Sequence, residues 1–191
     1  MKNIEVEIQV NVENIKPLLK FVKEKAKFIS EEREIDQYFT PAHRNFAEKP
    51  IISEWLRLRD ADGKCSINYK FWHRDKEGKT NHCDEFQTKL DKADQMHSIL
   101  KVLDFKPVVT VDKKRKKYHY KKYEITIDKV VGLDQTVEIE FNGETDETPA
   151  QITKGMIKFL QDLGVGKMKR SYQGYAFLTM FPEKAVYEEI G

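Results

Sequence analysis

The chain has 191 residues, enough for one good-sized core, and it reads as a single domain spanning residues 1–191. Its 34 Lys and Arg nearly cancel its 32 Asp and Glu, so the net charge of +2 gives no general reason to expect nucleic acid or a membrane surface as partner. Two cysteines, Cys65 and Cys83, are too few for a disulfide framework, and no long apolar run appears, so the chain is expected to be cytoplasmic, without leader or membrane span.

In chain order the first element is "IEVEIQV", a strand with Ile4, Val6 and Ile8 on one face and Glu5 and Glu7 on the other. The segment "NIKPLLKFVKEKAKF" follows as an amphipathic helix, with Asn14 as its N-cap. "REIDQYFTP" then leads into a looser stretch carrying Pro41 and Pro50. "EWLRLRD", "SINYKFWHRD" and "CDEFQTKL" are alternating segments separated by Gly-containing turns, which predicts an antiparallel meander. "KADQMHSILKVLDF" is a second helix, its apolar face formed by Ala93, Met96, Ile99, Leu100 and Leu103. Strands are expected again in "VVTVDKKRKKYHYKKY", "EITIDKVV" and "VEIEF". A third helix has the clearest signals: Thr148 as cap, Pro149 at its first position, Gln151 completing a capping box and Gly164 as a stop. "SYQGYAFLTMF" is expected to add a last strand. The pattern is α+β, with about eight mostly antiparallel strands in a closed barrel and flanking helices.

Strand alternation sorts the charges. Arg57 and Arg59 share a face, as do Lys70, Asn68 and Trp72, and as do Glu85, Gln87 and Lys89. Lys113, Arg115 and Lys117 share another, and Asp128 faces away from Ile125 and Ile127. If the apolar stripes of the helices cover the apolar outer faces, the charged faces line the interior, and a barrel of about eight strands can hold one small ligand. Arg57, Arg59, Lys70, Lys113 and Arg115 suit a polyanion. Glu5, Glu7, Glu138 and Glu140 would repel that polyanion unless a hard cation lay between them, which suits Mg²⁺ or Mn²⁺ bridging carboxylates and phosphates. "KKRKKYHYKK" reads as the lining pair Lys113 and Arg115 with outward lysines, rather than a nucleic-acid patch. His73, His82 and Cys83 match no common zinc spacing.

These segments, in this order, resemble the CYTH superfamily, the triphosphate tunnel metalloenzymes. "EVEIQ" stands at the family's E-x-E-x-K signature, "EWLRLRD" at its paired-Arg strand and "INYKF" at its tunnel-Lys strand. "CDEFQTKL" matches the strand of alternating acids and "VDKKRKKY" the K-x-R-x-x-Y element. "ITIDKVVGLDQTVEIE" matches the Asp strand, turn and closing E-x-E, and "RSY" the late Ser-Tyr element. The resemblance implies an eight-stranded tunnel binding a small-molecule triphosphate, ATP or polyphosphate. It assigns Glu5, Glu7, Asp128, Glu138 and Glu140 to metal, and Arg57, Arg59, Lys70, Lys113 and Arg115 to the phosphates. Lys70, Arg115 and Glu85 form the catalytic set, with Tyr172 near the tunnel mouth. A homodimer is compatible with the family, although no residue marks an interface.

Gln9 in place of the signature Lys, and Cys83 and Gln87 in the acid strand, depart from the family pattern. "DQYF" ahead of "WLRLR" looks like the class IV adenylate cyclase branch, in which a ribose 3′-hydroxyl attacks to give cyclic AMP and pyrophosphate. An inorganic or organic triphosphatase, with water as attacker, is the alternative. The departures leave a third reading open, a degenerate tunnel that binds nucleotide or polyphosphate without turnover.

Overall fold

The computed structural model describes residues 6–48, 52–74 and 80–191, with the side chains of residues 74 and 80–83 outside the description. The strands are β1 (Val6–Val12), β2 (Lys27–Thr40), β3 (Glu54–Ala61), β4 (Lys64–Arg74), β5 (Thr80–Leu90), β6 (Lys106–Tyr120), β7 (Tyr123–Val130), β8 (Thr136–Phe141), β9 (Met168–Ser171) and β10 (Tyr187–Ile190). The helices are α1 (Lys16–Lys25), α2 (Ala93–Val102), α3 (Pro149–Asp162) and α4 (Tyr175–Met180). The hydrogen-bonded order is β10-β9-β1-β8-β7-β6-β2-β3-β4-β5.

Two expectations need correction. The strands number ten rather than eight, and among the described residues the order ends at β10 and β5 instead of closing into a barrel. Both ends carry charges (Glu188 and Glu189 on β10, Asp84, Glu85 and Lys89 on β5), and charged edge strands resist further pairing. The extra length comes largely from β2, whose first half, "KFISEEREI", places charges on both faces and so hides its alternation. Of "SYQGYAFLTMF", expected as a last strand, only Ser171 lies in one, at the end of β9; "YAFLTM" is the helix α4, and burial of Tyr175, Ala176 and Leu178 follows helical spacing.

The chain forms two compact units. One comprises residues 1–32 and 113–191, the other Arg33–Asp112, and both β2 and β6 run from one unit into the other.

In the first unit, β1, β8, β7 and the second half of β6 present Val6, Ile8, Val10, Val137, Ile139, Ile125, Ile127 and Tyr118 to one side. Leu18 and Val22 of α1 and Ile152, Met156 and Leu160 of α3 cover that face. Alternation makes the sheet half-apolar, and the amphipathic helices remove its apolar half from water. The capping box of α3 forms as expected, Thr148 and Gln151 satisfying each other's backbone N–H groups. At α1 the N-cap position is Ile15, with Asn14 Oδ1 accepting from the Lys16 N–H at 3.1 Å.

In the second unit, Phe39, Leu58 and Leu100 form a smaller core, joined by Leu56, Ile67, Leu90, Ala93 and Met96. α2 packs against β3 through Ala93, Met96 and Leu100, while Ile99 and Leu103, expected on the same face, are exposed.

Candidate functional site

The face of the first unit's sheet opposite its core is charged, as alternation requires. Register places Glu7 opposite Glu140 and Gln9 opposite Glu138. Glu140 lies opposite Glu124, Glu138 opposite Thr126, and Thr136 opposite Asp128. On the far side of β7, Arg115 stands opposite Asp128 and Lys117 opposite Thr126. Lys117 Nζ pairs with Glu124 at 2.7 Å.

The centre of this face is Asp128, fully buried. Its Oδ1 accepts from Arg115 Nε at 2.8 Å, and its Oδ2 accepts from Arg115 Nη2 and from the Tyr175 hydroxyl, the latter at 2.8 Å. The same Nη2 also donates to Glu138. A carboxylate without solvent is tolerable only when it is paired and hydrogen-bonded, and Arg115 with Tyr175 meets both conditions. Burial, with Glu138 and Asp128 close by, holds the Tyr175 hydroxyl well above the usual phenol range, so it remains a donor at neutral pH. Lys113, itself buried, has its Nζ 5.3 Å from the centre of the Tyr175 ring. Glu138 takes a further, weaker bond from Thr126 at 3.4 Å. Gln9 donates to the Gln173 carbonyl at 3.4 Å, so the position of the family's Lys is filled by a hydrogen-bonded amide.

The charged face of the second unit is built on arginine. Register sets Asp36 opposite Arg59 and Tyr38 opposite Arg57. Asp36, fully buried, accepts from Arg59 Nε and Nη2 at 2.6 and 2.7 Å. Glu34 lies 3.0 Å from the same Nη2, whereas Arg57 is 3.7 Å from Asp36. Burial pushes the Tyr38 hydroxyl, beside Arg57, above its ordinary range. Lys70 pairs with Glu85 at 3.2 Å, and Asn68 donates to the other oxygen of Glu85 at 2.6 Å. Trp72 lies under Lys70, and Trp55 meets Tyr38 edge-on.

Alternation thus brings together Arg115, Asp128 and Glu138, and separately Arg57 with Arg59 and Lys70 with Glu85. Glu7 and Glu140 face each other in register, and Glu5 lies outside the described residues. No group of three or more His, Cys, Asp or Glu gathers into a metal-sized cluster among the described residues. Cys83 and His82 lie outside the described side chains, and Tyr172 is exposed, bonded to Glu188 at 2.7 Å. Sequence reasoning missed Asp36 and Glu34, because β2 was not recognised as a strand, and Tyr175, because α4 was read as one. Continuing the alternation of β2 through "REIDQYF" would have put Glu34, Asp36 and Tyr38 on the arginine face.

Whether a divalent ion suits this chain can be judged from its donors. Asp128 and Glu138 converge on a single cationic nitrogen, so their hard oxygens already meet at one positive point, and Arg115 stands in for a cation there. Carboxylate oxygens of this kind are the donor type that a divalent cation takes.

In each unit the antiparallel sheet is apolar on its covered side and charged on the other, which defines a class: an α+β protein with a mostly antiparallel sheet and flanking helices. The CYTH domain family matches residues 1–172, and the chain belongs to that family. Its members are enzymes of triphosphates that use a divalent metal ion. A protein of Methanocaldococcus jannaschii named "Putative adenylate cyclase" is 32% identical over 173 residues, covering 88% of this chain and 96% of its own. A Pyrococcus horikoshii protein of known structure superposes with a TM-score of 0.72 at 25% identity, over 94% of this chain and 99% of its own. A Hippeastrum protein, described as a putative adenylyl cyclase with a dominant triphosphatase activity, shares the fold with a TM-score of 0.66 at 18% identity, over 96% and 97% of the two chains. No helix among the described residues is long and apolar enough to cross a membrane.

Proposed function

We propose that this chain is a metal-dependent enzyme acting on a nucleoside triphosphate, converting ATP to cyclic AMP and pyrophosphate. The observation that carries the reading is the Arg115–Asp128–Glu138 cluster: a buried carboxylate and a second carboxylate converge on one cation, on the sheet face opposite the one that α1 and α3 cover. The 32% identity to the Methanocaldococcus jannaschii protein, together with "DQYF" before the paired arginines, supports the cyclase branch. The triphosphatase activity described for the Hippeastrum protein keeps hydrolysis as the second reading.

The residue roles follow from their chemistry. Asp128 and Glu138, with Glu7 and Glu140 on the same face, would hold Mg²⁺ or Mn²⁺. A divalent ion so held would neutralise phosphate oxygens and lower the barrier to attack at phosphorus. Arg57, Arg59, Lys70, Lys113 and Arg115 bind phosphate oxygens, the guanidinium groups as planar forks and the lysines as point charges. Tyr175 and Arg115 fix the position of the Asp128 carboxyl by hydrogen bonds. Glu85 holds Lys70 in place until phosphate competes for it; its exposed pairing makes that exchange inexpensive. A cytoplasmic location agrees with two cysteines in 191 residues.

Product analysis by mass spectrometry tests the reading, with ATP and separately tripolyphosphate, each with Mg²⁺ or Mn²⁺, and Glu138→Ala as control. Cyclic AMP with pyrophosphate, reduced about 100-fold or more in the control, is the expected result. Orthophosphate without cyclic AMP moves the chain to the triphosphatases. Binding without product from either substrate sinks the enzyme reading.

A further inference from the structure

We propose that β5 is an interface between two copies of this chain, each β5 pairing antiparallel with the other about a two-fold axis at Gln87. Nothing in this pairing depends on the triphosphate reading.

β5 (Thr80–Leu90) is bonded to β4 on one side and ends the hydrogen-bonded order on the other, among the described residues. Pairing with β4 uses the backbone groups of one edge, and those of the opposite edge are left to water or to a further strand. Residues 84–89 are all exposed, Phe86 by 68%. The Phe86 ring stacks on Tyr69, which lies opposite it on β4, with ring centroids 6.4 Å apart. An eleven-residue edge that shows a fixed aromatic ring to solvent is a template for strand addition.

The charges of the strand select its occupant. A two-fold axis perpendicular to the sheet keeps every side chain on its own face, so residues of one parity meet residues of the same parity. With the axis at Gln87, Glu85 faces Lys89 of the second copy, and Lys89 faces its Glu85. Gln87 then meets Gln87, and Phe86 meets Thr88. Moving the axis to Phe86 sets Glu85 against Gln87 and loses both ion pairs. Moving it to Glu85 sets that carboxylate against its own copy. The charges that guard this edge against random strand addition therefore favour one register. Glu85 already accepts from Asn68 at 2.6 Å and lies 3.2 Å from Lys70, and a carboxylate has about four acceptor positions, so a further cation can be seated. The opposite end of the sheet offers no such match. β10 (Tyr187–Ile190) has four residues, and its only charges, Glu188 and Glu189, are both negative.

The test is analytical ultracentrifugation of the whole chain and of two charge reversals, Glu85→Lys and Lys89→Glu, each alone and then mixed. The wild type is expected to sediment at twice the 22.5 kDa of one copy. Each reversal sets like charges against each other at both paired positions and is expected to weaken self-association about tenfold or more. In an equimolar mixture the two variants face each other with opposite charges at both positions. A mixed dimer is therefore expected, with a dissociation constant within about threefold of the wild type. Its recovery also shows that both variants are folded. Should a reversal fail to fold, Lys89→Gln takes its place and is expected to weaken self-association about threefold. A wild type that stays monomeric at about 100 μM overturns the proposal. So do dimers that none of these substitutions weakens, since their interface lies elsewhere. Folded reversals that stay monomeric when mixed overturn the register, and the interface with it.

Discussion

The two units solve opposite problems with the same sheet grammar. On the charged face of the first, Glu7, Glu124, Asp128, Glu138 and Glu140 surround Lys113, Arg115 and Lys117, so carboxylate is in excess. On that of the second, Arg57, Arg59, Lys64, Lys70 and Lys89 meet Glu34, Asp36 and Glu85, so cation is in excess. In the first, one arginine serves two carboxylates; in the second, one aspartate anchors one arginine and leaves another lightly paired. The difference teaches that counting charges does not identify a ligand site. What matters is which charged group would be left without a partner. Excess carboxylate calls for an added cation, and a lightly paired arginine calls for an added anion.

The contrast can be broken most forcefully at Arg115. Arg115→Gln would leave buried Asp128 with only Tyr175 and should cost about 3–5 kcal/mol of unfolding free energy in urea, whereas Arg57→Gln should cost less than about 1 kcal/mol. Equal losses would erase the distinction between the units. The cores differ as well. Leu160, fully buried among sixteen core residues of the first unit, should cost about 3–4 kcal/mol when replaced by Ala. Leu100, in a cluster of three fully buried residues beneath α2, should cost about 2 kcal/mol, near the lower end of the range for such truncations.

Helix ends give a smaller contrast. Thr148→Ala removes the capping box of α3 and should cost about 1 kcal/mol, while Lys92→Ser at the uncapped start of α2 should gain a comparable or smaller amount; thermal melts of both variants check the pair. The smallest effect is one of pH. The Tyr175 hydroxyl is raised above its ordinary value of 10.0, mainly by burial. Below pH 10 both folded and unfolded states hold that proton, so its contribution is complete. Above pH 10 the unfolded chain releases the proton first, and stability falls as pH rises toward the folded value. Tyr175→Phe should therefore show a shallower decline in Tm between pH 9 and 11 than the wild type, with Tyr38, Tyr69 and Tyr172, all raised as well, contributing to the remaining slope.

The faces were legible in the sequence because alternation needs no knowledge of partners. Ile8 and Glu7, Leu58 and Arg57, and Ile127 and Asp128 fall where period two puts them. That the sheet order stays open among the described residues was not legible, since alternation assigns sides and says nothing about which edge finds which. Nor was the pairing of Arg59. Asp36 is separated from it by 23 residues, in a strand whose leading run of Glu31, Glu32, Arg33 and Glu34 conceals its period. Tyr175 was hidden for a different reason: "YAFLTM" is apolar enough for either a strand or a helix, and only packing chose.

The most direct test of the account is a crossed titration. Mn²⁺ alone and tripolyphosphate alone would be titrated by calorimetry into the wild type, Glu138→Gln and Arg57→Gln. The account predicts that Glu138→Gln loses Mn²⁺ affinity by about 10-fold or more and keeps the anion, with Arg57→Gln showing the reverse. Parallel losses in both variants, or Mn²⁺ binding untouched by Glu138→Gln, would contradict it.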